Sequence, residues 1–173
     1  MVLGCTGQDG SILCESLLRK NHQVIGVSRS KESNSINLEK LNIENDIERA
    51  YVNLLNQNEI EKAIDKFEPE IIYNFSAQSS VGKSFSQPQD TFRSISLSTQ
   101  NILEACRVIS FKNSIFFAGS SEIFGSCQNL ITLDNPKKPV SPYGIAKTHS
   151  YELVKLYREV YNLNCKTGIL FNH

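Results

Sequence analysis

Short apolar segments alternate with segments of helical periodicity along the whole chain of 173 residues. Six of the apolar segments have the length and composition of buried strands, and helical segments separate them. This alternation is typical of a parallel sheet that carries helices on both faces. We therefore expect an α/β fold with a doubly wound parallel sheet, and we treat residues 1–173 as one domain.

The predicted strands are Val2–Leu3, Gln23–Ser28, Arg49–Leu54, Ile71–Phe75, Ser114–Ala118 and Lys166–Phe171. The first is shorter than the roughly five residues that are typical, which indicates either missing first residues or a late start at Met1. The predicted helices are Ser11–Lys20, Asn56–Phe67, Thr91–Ile109 and Tyr143–Tyr161, with a shorter one near Leu38 and Leu41. In the first helix, we expect Ile12, Leu13, Leu17 and Leu18 to form one buried face.

Three glycines, Gly4, Gly7 and Gly10, lie between the first strand and the first helix. Glycines allow a tight turn and a close backbone approach, and the free N–H groups of a helix start attract anions. In a strand–turn–helix unit this pattern predicts a Rossmann-like pocket for the pyrophosphate of a dinucleotide. The alternative is an ordinary glycine-containing loop.

Two further loops follow predicted strands. NAD-binding proteins commonly place an acidic residue after the second strand, whereas this chain has Arg29 and Lys31 there. Arg29 suits the 2′-phosphate of NADP, and the alternative is that both cations are solvated loop charges.

After the fourth strand, residues 76–80 are small and polar and lie where such folds bind ligands. The alternative for this loop is a simple connector.

A tyrosine and a lysine, Tyr143 and Lys147, are four residues apart at the start of the last helix. Residues with this spacing share one helix face, so both side chains can point into one cleft. We expect the lysine to lower the pKa of Tyr143, which makes the phenolate a usable base near neutral pH. Ser120 and Glu122 follow the fifth strand and should lie beside this pair. The alternative for Glu122 is a solvent-exposed loop carboxylate.

The composition argues against several classes of protein. The 18 basic and 18 acidic residues cancel, so no charge excess favours nucleic acid or an anionic membrane. No apolar run approaches the roughly 20 residues of a membrane span. The five scattered cysteines suit buried thiols in a reducing cytosol better than a disulfide framework or a zinc site. The three histidines are too far apart in sequence to suggest a metal site.

Several sequence blocks carry a resemblance to a known family. They are Thr6-Gly7-Gln8-Asp9-Gly10-Ser11, Asn74-Phe75-Ser76-Ala77-Gln78-Ser79, Ser120-Ser121-Glu122-Ile123-Phe124-Gly125, Ser141-Pro142-Tyr143-Gly144-Ile145-Ala146-Lys147 and Gly168-Ile169-Leu170-Phe171-Asn172-His173. Together they resemble the extended short-chain dehydrogenase/reductase superfamily and, within it, the GDP-mannose 4,6-dehydratase family. The blocks follow the order of the family along the whole chain.

The resemblance implies a role for each matched position. The residues implied to bind NADP are Gly4, Thr6, Gly7, Gln8, Asp9, Gly10, Arg29, Asn53, Leu54, Phe75, Ser76, Ala77, Gln78, Ser79, Tyr143, Lys147 and His173. The residues implied to contact the nucleotide sugar are Ser79, Ser120, Glu122, Tyr143 and Asn172. Ser120, Glu122, Tyr143 and Lys147 are the implied catalytic residues.

The implied reaction is an internal redox dehydration of GDP-mannose. Tyr143 takes the proton of the sugar 4-hydroxyl, with Ser120 hydrogen-bonded to that oxygen, while hydride passes to the nicotinamide. Glu122 then removes the C5 proton and helps to expel the C6 hydroxyl as water, and hydride returns to C6. The alternatives are a sugar-nucleotide epimerase or 4-keto reductase, which usually lacks the carboxylate, and a non-catalytic NADP-binding module.

The chain also departs from the family. It has Asn53 where an aspartate is usual and Ser120 where a threonine is common, an arginine is missing near Asn37, and Asp90 replaces a tyrosine. The resemblance implies a further nucleotide-sugar-binding part after His173, so we expect this chain to be the cofactor-binding portion of a longer enzyme. It also implies a homo-oligomer formed through the helices at Thr91–Ile109 and Tyr143–Tyr161. The apolar residues expected on the outer surface there are Leu153, Leu156, Tyr157 and Val160.

Overall fold

The computed structural model of the protein describes residues 1–31, 33–127 and 130–171. Six strands pair in parallel in one sheet, in the order β3-β2-β1-β4-β5-β6. They are β1 (Val2–Leu3), β2 (Ile25–Ser28), β3 (Glu48–Tyr51), β4 (Ile71–Asn74), β5 (Ser114–Ala118) and β6 (Cys165–Gly168). The predicted fold class is therefore confirmed, and β3, β4 and β6 end earlier than the apolar runs suggested.

Helical segments connect the strands. They are α1 (Gln8–Arg19), α2 (Ile36–Lys40), α3 (Gln57–Phe67), α4 (Val81–Ser86), α5 (Pro88–Phe92), α6 (Ser98–Val108) and α7 (Pro142–Tyr161). The predicted helix at Thr91–Ile109 is interrupted, because a π-helical turn at Arg93–Leu97 joins α5 to α6. A 3-10 turn at Ser121–Phe124 follows β5. No strand or helix pattern in the sequence predicted α4 or this turn.

The helices cover the two faces of the sheet separately. Successive residues of a strand point to opposite faces, and Val2 and Leu3 of β1 accordingly enter different hydrophobic clusters. The Val2 cluster includes Cys14 of α1 and Leu38 of α2. The Leu3 cluster includes buried residues from α3, α6 and α7. Burial on both faces is what a doubly wound sheet requires.

The buried face of α1 differs from the prediction. Gly10, Ser11 and Cys14 are the buried residues of this helix, and Leu13, Leu17 and Leu18 are partly buried against the Val2 cluster. Ile12 is instead 52% exposed, so its predicted burial was wrong. The cause is the glycine turn, because Gly10 faces Gly4 and a residue two positions later points about 200° around the helix.

The π-helical turn has an unusual carbonyl group at Ile95. This oxygen accepts hydrogen bonds from the hydroxyls of Thr99 (2.7 Å), Ser98 (3.3 Å) and Ser150 (3.3 Å). Because Ser150 belongs to α7, the bond ties the interrupted helix to the helix that carries Tyr143 and Lys147. The backbone N–H of Ser98 also donates to this oxygen, so the side-chain hydroxyls add to a backbone hydrogen bond.

Within the described ranges, no helix combines the length and apolar character that crossing a membrane requires.

Candidate functional site

A cleft of about 620 Å³ runs along the carboxyl ends of the central strands. Its volume falls in the range of roughly 300–1,000 Å³ that small-molecule sites occupy. β1 and β4 are neighbours in the sheet. After β1 the chain continues to β2 on one side of this pair, and after β4 it continues to β5 on the other side. Ligands bind at such a switch point in open α/β sheets. The cleft therefore lies where the sequence predicted ligand-binding loops, after the first and fourth strands.

The glycine turn is fitted to close backbone approach. Gly4 has a φ of +83°, and a Cβ atom there would lie 2.7 Å from the backbone nitrogen of Ser76. A Cβ atom on Gly10 would lie 2.2 Å from the carbonyl oxygen of Gly4. The helix α1 then begins after Gly7, which provides no side-chain cap. This compact turn before an uncapped helix start fits a pyrophosphate group.

The start of α7 positions Tyr143. Ser141 caps the helix by accepting a hydrogen bond from the Gly144 nitrogen at 3.0 Å, and Pro142 occupies the first turn. Gly144 lies against the 3-10 turn after β5, because a Cβ atom there would be 2.8 Å from the Glu122 carbonyl oxygen. This contact brings α7 beside Ser120 and Glu122.

The side chains of Ser120, Glu122 and Tyr143 interact. Burial raises the pKa of Tyr143, a hydrogen bond with Ser120 lowers it, and the charge of Glu122 raises it further. The net pKa of Tyr143 lies above its usual value. The expectation that Lys147 lowers this pKa is therefore wrong for the chain alone. Tyr143 is only 8% exposed, and the cost of burying its charge outweighs the stabilisation of the phenolate.

The ammonium group of Lys147 is bonded to the backbone of β5. Its Nζ atom donates to the Ala118 carbonyl oxygen at 2.7 Å and lies 5.7 Å from the centroid of the Tyr143 ring. Burial lowers the pKa of Lys147 from 10.5 to about 8. Lys147, Ser76 and Ala77 line a small cavity, and Ser76 and Ala77 also line the large cleft. The lysine therefore adjoins the cleft through the loop after β4.

Many of the residues predicted to bind cofactor line the cleft, although their roles stay predictions. These are Gly4, Thr6, Gly7, Arg29, Asn53, Leu54, Phe75, Ser76, Ala77 and Gln78. Gln8, Asp9 and Gly10 lie in the first turn of α1, and Ser79 is exposed and does not line the cleft. Asn172 and His173 lie outside the described residues.

The cleft also contains residues that the sequence analysis did not select. They are Val27, Ser28, Ser33, Val52, Leu55, Gln87, Asp90, Arg93, Ser94 and Ser98. Asp90 comes from α5, and Arg93 and Ser94 come from the π-helical turn. The apolar pattern of the sequence did not predict that the helix is interrupted there. Ser33 could have been selected as a hydroxyl in the loop that carries Arg29. Among the described residues, no group of three or more His, Cys, Asp or Glu could hold a metal ion.

The fold and the cleft define this chain as a Rossmann-like protein of the short-chain dehydrogenase/reductase type. A sequence model of the GDP-mannose 4,6 dehydratase family matches residues 1–173. The chain belongs to this family, which confirms the resemblance seen in its motifs.

Curated relatives agree with the assignment. GDP-mannose 4,6 dehydratase of Homo sapiens is 38% identical over 183 residues, which cover 100% of this chain and 49% of the human protein. An Arabidopsis thaliana enzyme of the same name, numbered 1, is 35% identical over 184 residues, covering 100% of this chain and 51% of its own length. The chain thus spans about half the length of the curated relatives it matches.

Solved structures share the fold. UDP-glucose 4-epimerase from Brucella ovis, in complex with NAD, has a TM-score of 0.87 at 22% identity and covers 99% of this chain and 51% of its own. A dTDP-glucose 4,6-dehydratase from Streptomyces venezuelae, with NAD bound, has a TM-score of 0.85 at 20% identity, over 96% of this chain and 53% of its own. At these identities the likeness concerns the fold alone.

The lowered pKa of Lys147 predicts a pH-dependent stability. The folded state disfavours the charged lysine, so the unfolded chain binds more protons between about pH 8 and the ordinary lysine value of 10.5. The free energy of unfolding should therefore rise through this window by up to about 3 kcal/mol from this group. In Lys147→Met that contribution is absent, so any stability advantage of the variant near pH 7 should shrink as pH rises.

Urea unfolding of both proteins across this pH window measures the difference. Comparing variant with wild type cancels the titration of other groups, such as the buried cysteines. Lys155→Met, on an exposed position of the same helix, is the matched control. A stability difference for Lys147→Met that is constant from pH 7 to pH 11 would contradict the prediction.

Proposed function

We propose that this chain is the NADP-binding half of a GDP-mannose 4,6-dehydratase, and that its residues 1–173 form that half as one domain. The observation that carries the proposal is the meeting of Ser120, Glu122 and Tyr143, in which a hydroxyl and a carboxylate both act on the pKa of one phenol. A dehydratase needs all three groups, whereas an epimerase or a 4-keto reductase needs no carboxylate. Membership of the family supports the same choice.

The cleft fits a nicotinamide dinucleotide. The glycine turn approaches Ser76 and offers a helix start to a pyrophosphate, and Arg29 lines the cleft after β2. The chain has no acidic residue at the end of β2, where Ser28 lies. When bound, the nicotinamide would supply the acceptor and the donor of hydride. We propose NADP rather than NAD, because a guanidinium group suits a 2′-phosphate.

Tyr143 is the residue proposed to exchange the proton of the sugar 4-hydroxyl. Its raised pKa means that the phenol is protonated at neutral pH in the chain alone. Ser120 opposes that shift by a hydrogen bond to Tyr143 and would hold the same substrate oxygen. Lys147, anchored on Ala118, supplies a donor beside the cleft. Its pKa of about 8 allows it to accept or release a proton near neutral pH.

Glu122 is proposed as the acid and base of the dehydration step. Its backbone nitrogen donates to Ser120 Oγ at 3.3 Å, which fixes the short turn on which the carboxylate lies. The carboxylate is half-buried and close enough to Tyr143 to affect its pKa. Once C4 is a ketone, the C5 proton becomes acidic. Glu122 would remove that proton and return one to the departing C6 hydroxyl, which leaves as water.

Substitution of Glu122 should separate the two halves of the reaction. In the protein extended to the length of its relatives, Glu122→Gln should still bind the cofactor. The variant should also still oxidise GDP-mannose at C4, at least slowly. Formation of the 4-keto-6-deoxy sugar should fall by about 10²–10⁴, the usual size of a general acid–base contribution. Tyr143→Phe, which removes only the phenol hydroxyl, should suppress both steps. Nicotinamide absorbance and product analysis measure the two outcomes. A near-normal yield of deoxy sugar from Glu122→Gln would refute the dehydratase proposal.

Removal of the guanidinium of Arg29 should reduce the preference for NADP. A charge-assisted hydrogen bond contributes about 1.5–3 kcal/mol, so wild type should bind NADP roughly tenfold to a hundredfold more tightly than NAD. Arg29→Ala should lose most of this preference while its affinity for NAD is retained. Calorimetric titration of both dinucleotides measures the effect, with Lys31→Ala as a control for general loss of positive charge. Equal affinities in wild type would rule out NADP specificity.

We also propose that the protein forms a homo-oligomer through the exposed face of α7. Ile145, Leu156 and Val160 on that face are 55%, 46% and 59% exposed. The expected contribution of Tyr157 was wrong, because this residue is 7% exposed and its hydroxyl donates to Glu104 at 2.8 Å. Leu153 is only partly exposed, because it packs against the Leu3 cluster.

Sedimentation at micromolar concentration should detect a dimer or tetramer in the wild type and weaker association in Leu156→Arg. A monomeric wild type would contradict the proposal.

The four buried cysteines and exposed Cys127 are all free thiols. This supports a cytoplasmic location, because oxidising compartments favour disulfides.

A further inference from the structure

Arg49 belongs to β3 and does not line the cleft. Its side chain is half-buried, and its Nε atom is buried with no hydrogen-bond acceptor among the described residues. Its positive charge lies close enough to the buried thiols of Cys5 and Cys14 to oppose the effect of burial on their pKa. A partly desolvated guanidinium with few partners is costly. Its Cζ atom also lies 5.8 Å from the centroid of the Tyr51 ring, which offsets part of this cost.

One hydrogen bond of Arg49 leads to the loop after β2. The Nη2 atom of Arg49 donates to Ser28 Oγ at 3.2 Å, and Ser28 Oγ donates to the Ser30 carbonyl oxygen at 3.2 Å. The same carbonyl accepts from the Ser33 nitrogen at 3.2 Å. Ser33 Oγ in turn accepts from the Ser30 nitrogen at 3.2 Å. Arg49 is therefore connected, through Ser28, to the hydrogen bonds between Ser30 and Ser33 at the two ends of this turn.

This set of bonds decides which groups the turn presents to the cleft. Ser28, Arg29 and Ser33 all line the cleft. The single hydroxyl proton of Ser28 is used on the Ser30 carbonyl, whose oxygen is thereby occupied twice. Ser33 Oγ acts as an acceptor inside the turn and keeps its own proton for another acceptor. Arg29 thus offers a guanidinium and Ser33 a hydroxyl donor to the same cleft, and both groups suit a phosphate monoester.

We propose that Arg49 is a positioning residue that confers specificity for a ribose phosphate monoester in this corner of the cleft. It holds Ser28 and, through Ser28, the turn that presents Arg29 and Ser33. Its charge behind Ser28 also favours an anion at that corner. The inference rests on the proposed function, because the phosphate monoester that distinguishes NADP from NAD is the expected occupant.

Titration of NADP and NAD into single and double variants tests this role. Arg49→Met should weaken NADP binding by about tenfold and change NAD binding by less than about twofold, since only NADP carries the monoester. Ser28→Ala should have a similar selective effect. The double variant should lose little more than the stronger single variant, because both act through one chain of bonds. Arg49→Lys should restore most of the NADP affinity, because the contact with Ser28 needs a single donor.

Each alternative outcome has a definite meaning. A wild type that prefers NADP together with an Arg49→Met variant that keeps that preference overturns the role of Arg49 alone. Equal weakening of NADP and NAD binding, with a lowered unfolding midpoint, shows a merely structural role and also overturns it. Additive losses in the double variant exclude the connection through Ser28. A wild type that binds both dinucleotides equally overturns the NADP proposal, and this inference with it.

Discussion

The parallel pairing of β1 with both β2 and β4 is the constraint on which the rest of the structure depends. β1 contains only Val2 and Leu3, yet it lies in the middle of the sheet and separates its two halves. The chain turns away from β1 and β4 at the same edge, so the glycine turn meets the loop that begins at Ser76. The contact is so close that Gly4 has no room for a Cβ atom. The cleft exists because these two strands are neighbours.

Burial drives the chemistry of the site toward neutral groups. It raises the pKa of Tyr143 and lowers that of Lys147, so each side chain is held closer to its uncharged form than it would be in water. The hydrogen bond from Ser120 opposes this shift, whereas the charge of Glu122 adds to it. Such perturbed groups reduce the stability of the fold, and they are typical of sites that transfer protons. The buried pair thus couples reactivity to a loss of stability.

The sequence predicted the elements whose signal is periodic or local. Alternating strands and helices indicated the parallel sheet, and the glycine spacing indicated the turn after β1. Other features depend on three-dimensional contacts that leave no such pattern. The π-helical turn, the exposure of Ile12, the raised pKa of Tyr143 and the bond from Arg49 to Ser28 arise from packing between distant segments. Local periodicity cannot encode them, because each needs the relative position of two elements.

The π-helical turn at Arg93–Leu97 carries one more residue than a regular helix would hold over the same axial length. Because each helical residue adds about 100° of rotation, the extra residue sets the angular offset between Asp90 on one side and Ile102 on the other. Substitutions can change this segment without altering that offset. Loss or gain of a single residue would turn one half of the helix relative to the other and remove either the cleft wall or the core packing. Evolution of this cleft should therefore proceed by exchange of side chains at constant length between α5 and α6.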